Sequence, residues 1–221
     1  MTSPAYRKRL RALLTPAETR IFARLDSPAR IQSFLDRLPA NFGLDGDTAM
    51  SPRRVLQTRL AHCAEGAVLA AAALAFHGRP AWLVDLRALP SDHDHIVTLF
   101  KERGLWGAIS KTNHPVLRWR DPVYRSPREL VMSYVHEYCL PGGKKSLLEY
   151  SRPISLTRYA PQRWLTPLED LDWLMVALDQ APHRPVAPKA ALRRQRRSTA
   201  VERRAHNQLE WPDPRKPKAK S

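Results

Sequence analysis

The chain has 221 residues, enough for one domain with a hydrophobic core plus a terminal appendage. Its 37 Lys and Arg against 21 Asp and Glu give a formal net charge of +16, and it has only two cysteines, Cys63 and Cys139. This composition argues against a disulfide-stapled secreted fold and favours a reducing, cytoplasmic setting. No signal peptide is visible, and the longest apolar run is shorter than the ~20 residues of a membrane-spanning helix.

Residues 1–50 predict a helical segment that packs on the core. Residues 4–25 indicate two helices separated by a turn at Thr15-Pro16, because Thr caps a helix and Pro suits its first position. Ser27-Pro28 repeats this start signal for a third helix with apolar residues on one face. Residues 41–47 have the Asn, Gly and Asp content of a loop.

Residues 51–183 predict the core itself. The run from Ala61 to His77 is almost entirely Ala, Leu and Val, so it predicts a helix that is apolar nearly all round and must be buried. Gly78 then offers a left-handed C-terminal cap. Short apolar runs at 81–86 and 96–100 predict strands, and a turn at 101–104 returns the chain as a strand at 105–109. This order predicts an α+β fold, with the buried helix packed on a small antiparallel sheet between flanking N- and C-terminal helices.

Beyond the hairpin, the start signals Ser126-Pro127 and Thr166-Pro167 predict two more helices, at 126–138 and 171–178. Residues 146–157 are expected to be strand-like or irregular. Residues 184–221 carry twelve Lys or Arg against three acidic residues and few aromatics. Such a segment buries too little apolar surface to offset its ordering entropy, so it predicts a basic, disordered tail with a nascent helix around 190–208.

Cys63 and His95 form the pair that points to chemistry. A cysteine in the first turn of a helix has a lowered pKa, because the positive end of the helix dipole favours a thiolate, the nucleophilic form. A histidine at the start of the neighbouring strand is placed to act as its general base, with His93 as the rival. The plainer interpretation is a small buried thiol that only fills space, which describes most free cysteines.

The segments AHCAEGAVLAAAAL, GRPAWLVDL, DHIVTLF and GLWGAIS resemble the transglutaminase-like superfamily of the papain-like cysteine group. They cover about a quarter of the chain, roughly residues 55–115. The resemblance implies a Cys-His-Asp triad in which Cys63 is the nucleophile and His95 the base, with acyl-transfer chemistry at amides.

The third triad member departs from the family pattern, in which an acidic residue follows a Trp-containing strand as W-x-x-x-D. Here Trp106 leads to Ser110. Asn113 is therefore the candidate for orienting the histidine, as Asn does in papain-type enzymes, and Asp121 is the runner-up. Loss of the carboxylate weakens the stabilisation of an imidazolium, so a slow or inactive enzyme is expected.

Other residues near Cys63 have weaker signals. Gln57, six residues upstream, is a candidate oxyanion donor, although a Gln on a helix surface needs no special explanation. His62 and Glu65 are expected to cap the helix rather than act in catalysis. No metal-binding spacing links Cys63 to the histidines, so neither a metal nor a cofactor is expected.

Three functions follow as hypotheses. The favoured one is cysteine-dependent acyl transfer or amide hydrolysis on a peptide or protein substrate. The second is a catalytically inactive binding module of the same fold. The third is a nucleic-acid-associated protein that makes non-specific contacts through its basic tail.

Overall fold

An antiparallel sheet and the helix that begins at Cys63 form the framework of this computed structural model, which describes residues 2–44, 46 and 48–215. The α-helices are α1 (Pro4–Ala12), α2 (Pro16–Arg24), α3 (Pro28–Asp36), α4 (Pro52–Thr58), α5 (Cys63–Phe76), α6 (Pro127–Met132), α7 (Asp172–Asp179), α8 (Lys189–Arg193) and α9 (Ala200–His206). The strands are β1 (Trp82–Ala88), β2 (His95–Glu102), β3 (Leu105–Ile109), β4 (Arg120–Tyr124), β5 (Leu147–Ser151) and β6 (His183–Pro185). Short 3₁₀ turns occupy Pro115–Leu117, Leu156–Arg158 and Pro161–Arg163.

The helices begin where the Ser/Thr-Pro signals predict. Ser3, Thr15, Ser27 and Ser51 each accept a backbone N–H at the third helical position, and a proline follows each of them. Each such cap stabilises its helix by about 1 kcal/mol. The signal is local, because both the capping oxygen and the fixed φ of proline act within one turn.

Helix α5 is the centre of the core. Apart from its first residue, Cys63, all of its side chains are buried, as its uniform apolar composition predicts. Gly78 follows it with φ +75°, which confirms the expected left-handed cap. On the sheet side, Thr98 of β2 donates its hydroxyl to the carbonyl of Ala67 at 2.7 Å. This bond fixes α5 against the strand that begins at His95. None of the helices in the part of the chain described here has the length and apolar character to cross a membrane.

The sheet has the order β4-β3-β2-β1-β5-β6, with every neighbouring pair antiparallel. One face packs on α5 and the N-terminal helices, and the other on the segment that contains α6, through residues such as Val131 and Tyr134. The fold is therefore α+β, with the Cys63 helix packed on the sheet as expected. The β2–β3 hairpin turns at Arg103 and Gly104, both with positive φ, where the sequence places its turn.

The structure corrects one expectation and adds detail to another. Helix α6 ends at Met132 rather than 138, and a series of turns replaces its last two turns. Residues 184–215 contain regular structure, and the nascent helix expected around 190–208 corresponds to α8 and α9. They contribute β6 and helices α8 and α9, and Val186 and Ser198 are buried. Residues 216–221 of the predicted tail lie outside the described residues.

Candidate active site

A cavity of about 310 Å³ opens where the N-terminus of α5 meets the start of β2. Cys63 and His95 both line it, so the structure brings together the two residues that carry the sequence hypothesis. Its other walls come from four segments, residues 40–42, 111–117, 137–139 and 206–207. The cavity is thus assembled from parts of the chain that are far apart in sequence.

Cys63 is the first residue of α5 and is half-buried at the cavity wall. Burial alone would raise the pKa of its thiol, but hydrogen bonding and charge from His62 and His95 hold that pKa well below its usual range. The helix start adds to this effect, because its free backbone N–H groups favour a negative charge. These surroundings favour the thiolate form of the sulfur over the thiol.

His62 caps the helix that carries the nucleophile. Its Nδ1 accepts the N–H of Ala64 at 3.2 Å, and its Nε2 lies 2.6 Å from the carbonyl oxygen of Thr48. Burial opposes a proton on this ring, but Cys63 and the charge of Glu65 raise the pKa of His62 to about 9. Nδ1 of His62 cannot accept the N–H of Ala64 while it carries a proton of its own. The Ala64 bond therefore describes the neutral ring, whose Nδ1 accepts, and protonation of that nitrogen competes with the cap.

Glu65 is the buried carboxylate behind this corner. It accepts the backbone N–H of His62 at 2.9 Å, the hydroxyl of Thr48 at 2.7 Å and the N–H of Met50 at 3.2 Å. The side chain of Asn41 also donates to both of its oxygens. This network ties the loop before α4 to the first turn of α5, and it confirms the capping role expected for His62 and Glu65.

His95 is backed by Ser110. The ring Nε2 lies 2.6 Å from Ser110 Oγ, and both residues are buried, with exposed fractions of 6% and 0%. Ser110 is itself clamped by Gln32 of α3, which accepts its backbone N–H at 3.0 Å and donates to its carbonyl at 2.9 Å. Because Nε2 is engaged, Nδ1 is the nitrogen left for the sulfur. Ser110 Oγ is therefore the group that fixes the orientation of the His95 ring.

Asn113 does not take that role. It lines the same cavity, but its side-chain amide bonds to the backbone of Trp211, donating to the carbonyl at 2.8 Å and accepting the N–H at 2.7 Å. Asp121 is exposed and accepts the indole N–H of Trp119 at 2.8 Å. The structure brings neither residue to His95.

Two further candidates, Gln57 and His93, also lie away from the reacting atoms. Gln57 is exposed on α4 and does not line the cavity, so it is not placed as an oxyanion donor. His93 does line the cavity, but it is exposed in the turn before β2, whereas His95 is the one that touches Cys63 and Ser110.

Two other residues of the cavity wall, Tyr138 and Lys111, were not predicted from the sequence. The hydroxyl of Tyr138 is buried and has no hydrogen-bond partner among the described residues. Burial raises the pKa of Tyr138 well above its usual value, and the charge of Cys63 raises it further, so the phenol stays protonated. Lys111 is also buried, and its ammonium donates to the carbonyl of Leu38. Both residues sit in irregular segments, where no periodic pattern predicts burial.

Over residues 2–44, 46 and 48–215 we find no cluster of three or more His, Cys, Asp or Glu side chains able to hold a metal ion. No protein-family model matches the chain, and no curated protein matches it. The functional argument therefore depends on the residues of the site.

Proposed function

We propose that the protein is a cysteine-dependent enzyme that acts on amides of a peptide or protein, by acyl transfer or by hydrolysis. The observation that carries the proposal is the thiol of Cys63, held at a helix start between two imidazoles in an open cavity, with a strongly lowered pKa. A space-filling thiol needs no such surroundings, whereas each of them activates a nucleophile.

The proposed reaction begins with attack of the Cys63 thiolate on the amide carbonyl carbon. The C–S bond forms and the carbonyl π electrons move to oxygen. Two donors are available to that oxygen, the backbone N–H of Cys63 and the hydroxyl of Tyr138. His95 Nδ1–H then protonates the leaving nitrogen as the C–N bond breaks, which leaves a thioester on Cys63.

The second half resolves the thioester. A water molecule or an amine attacks the thioester carbon while neutral His95 Nδ1 takes its proton. The C–S bond then breaks and Cys63 leaves as the thiolate, which restores the starting state. Water gives hydrolysis and an amine gives transfer, so the identity of the acceptor that enters the cavity decides between them.

Ser110 sets the expected speed of this chemistry. A neutral hydroxyl accepts Nε2–H and fixes the ring, as the third member of a triad does, but it adds no negative charge to stabilise the imidazolium. We therefore expect turnover slower than that of an enzyme with a carboxylate there. Kinship with the transglutaminase-like superfamily is part of the same proposal and rests on the Cys and His segments.

The direct test is capture of the thioester. A peptide library with Gln and Asn amides is incubated with the full chain and analysed by intact-protein mass spectrometry after an acid quench. We expect an acyl adduct on Cys63 that is absent in Cys63→Ala and present in Cys139→Ala, the matched control for the other cavity cysteine. Iodoacetamide labelling gives an independent check, because a Cys63 thiol that titrates near 8.5 contradicts activation.

A second candidate function is a binding module of the same fold without turnover. The observation that favours it is the uncharged Ser110 in the orienting position. Peptide binding that survives Cys63→Ala, together with the absence of any adduct or product in the wild type, supports this alternative over the enzyme.

We also propose, as a secondary property, non-specific contact of the C-terminal basic segment with nucleic acid. Arg193, Arg194 and Arg204 are exposed on and beside α8 and α9. Counterion release predicts binding that weakens steeply with salt. Charge reversal of these three arginines is expected to flatten the salt dependence, and an unchanged slope contradicts this assignment.

A further inference from the structure

Residues 206–214, which we term the C-terminal strap, cross the surface beside the active site. His206 and Asn207 line the Cys63 cavity, and Trp211, Pro212 and Pro214 line a neighbouring cavity of about 560 Å³. Both cavities share one wall, formed by residues 40–42. The strap therefore borders both cavities, and we term these two adjoining cavities together the depression.

The strap is held through its backbone. Asn113 donates its amide to the carbonyl of Trp211 at 2.8 Å and accepts the Trp211 N–H at 2.7 Å, while its own carbonyl accepts the N–H of Glu210 at 3.1 Å. Three main-chain bonds to two consecutive residues are the means by which extended peptides are recognised independently of their side chains.

The side chains around the strap determine which peptide residues fit the depression. Arg118 pairs with the carboxylate of Glu210, and the ammonium of Lys111 lies 6.0 Å from the centre of the Trp211 ring. Further along, the neighbouring cavity is bordered by Leu44 and Leu60, large apolar side chains that are 60% and 37% exposed. These features suit an acidic residue followed by a large aromatic residue and then proline.

We propose that this depression is a peptide-binding cleft leading to Cys63, and that the C-terminal strap occupies it as a built-in competitor. The ligand class is an extended peptide with an acidic residue, an aromatic residue and a proline in succession, read at its backbone by Asn113. The inference rests on the proposed function for the chemistry that follows binding, but the binding itself requires no reaction.

Covalent attachment explains why such a cleft is filled in this structure. A segment tethered to its own site has an effective concentration of the order of millimolar, so a free peptide of similar affinity competes poorly with it. Weakening the strap without altering the cleft removes this competition. Trp211→Pro does so, because it deletes both the indole ring and the N–H that Asn113 accepts.

The experiment uses the full chain, with Cys63→Ala in every variant so that no turnover occurs. The probe is a fluorescein-labelled peptide of residues 209–215, LEWPDPR, followed by fluorescence anisotropy. Trp211→Pro is expected to bind it at least tenfold more tightly than the parent chain, and adding Asn113→Ala is expected to abolish the gain. Leu209→Ala, a change at an exposed strap residue, is the matched control and is expected to leave binding unchanged.

A second variant and a second readout keep the test independent of the folding of Trp211→Pro. Glu210→Lys breaks the Arg118 pair and is expected to give a smaller gain in peptide binding. In chains that retain Cys63, both strap variants are expected to alkylate with iodoacetamide severalfold faster. Binding and alkylation that match the parent in both variants overturn the proposal.

The outcomes also separate this inference from the proposed function. Tighter peptide binding by the strap variants with no acyl adduct in any chain supports the cleft and contradicts the enzyme. An acyl adduct on Cys63 whose yield is indifferent to both strap variants, with no gain in peptide binding, supports the enzyme and overturns the cleft.

Discussion

Replacing Ser110 by alanine tests the core of the proposed mechanism, because Ser110 Oγ is the group 2.6 Å from Nε2 of His95. Both residues are buried, so water does not reach the ring nitrogen to replace the lost hydroxyl. The backbone of Ser110 stays clamped by Gln32 after the substitution, because both of those bonds use main-chain atoms. The change therefore removes one hydrogen bond and little else.

The size of the expected pKa change follows from the charge on the His95 ring. A hydrogen bond to a charged group contributes about 1.5–3 kcal/mol, against about 0.5–1.5 kcal/mol for a neutral pair. Loss of the hydroxyl thus disfavours the imidazolium, and with it the thiolate of Cys63, by a difference of about 1–1.5 kcal/mol. One pKa unit corresponds to about 1.4 kcal/mol. We expect the pKa of the Cys63 thiol to rise by about one unit.

The assay is the pH dependence of iodoacetamide alkylation, measured in a Cys139→Ala background so that Cys63 alone reports. The wild-type inflection is expected well below 8.5, and the Ser110→Ala inflection about one unit above the wild-type value. Ser110→Asp is the complementary variant. It is expected to shift the inflection down and to speed any turnover, because it supplies a carboxylate that stabilises the imidazolium of His95.

The reasoning is refuted if Ser110→Ala titrates within 0.3 units of the wild type, an interval small against the expected shift of about one unit. That result would mean that Ser110 does not act on the sulfur through His95. A thermal melt accompanies each titration, because a variant that has lost its fold exposes the thiol and alkylates as a free cysteine.

The remaining predictions concern His62 and Gly66, at the start of the helix that carries Cys63, and the buried carboxyl group of Asp85. His62→Ala removes the cap and one imidazole, so we expect a loss of about 1–2 kcal/mol in urea unfolding and a higher Cys63 pKa. Gly66→Ala, normally stabilising in a helix, is expected to cost about 1–3 kcal/mol because its methyl group overlaps Lys111 Cβ. Burial raises the pKa of Asp85 to about 6, so the folded state favours its protonated form, and this stabilisation is present at low pH and lost as pH rises through 6. We expect wild type to lose stability relative to Asp85→Asn between pH 4 and 7.

Each of these predictions has a clear contrary result. An unchanged pH profile of alkylation in His62→Ala would show that His62 does not lower the pKa of the Cys63 thiol. A Gly66→Ala chain that is more stable than wild type would show that the contact with the segment after β3 is loose. A pH-independent difference between wild type and Asp85→Asn would show that this carboxyl titrates alike in the folded and unfolded states.

The sequence alone predicted the features that depend on short-range physics. Ser or Thr followed by Pro determined where helices such as α1–α4 begin, because the cap and the proline φ both act within one turn. The uniform apolar content of α5 required its burial, and the apolar runs around the turn at 101–104 predicted the β2–β3 hairpin. The pairing of Cys63 with His95 was predictable because a buried helix and the adjacent strand have few ways to pack.

Only the tertiary structure decided which side chains meet across long stretches of chain. The sequence could not show that Gln32 would clamp Ser110, or that Trp211 would engage the amide of Asn113 and so withdraw it from His95. Composition did not show where residues 184–215 would pack, because a few residues such as Val186 and Trp211 find partners only on the folded chain. Local propensities act within a few residues, whereas these contacts join segments 78 to 98 positions apart and form only once the fold has brought them together.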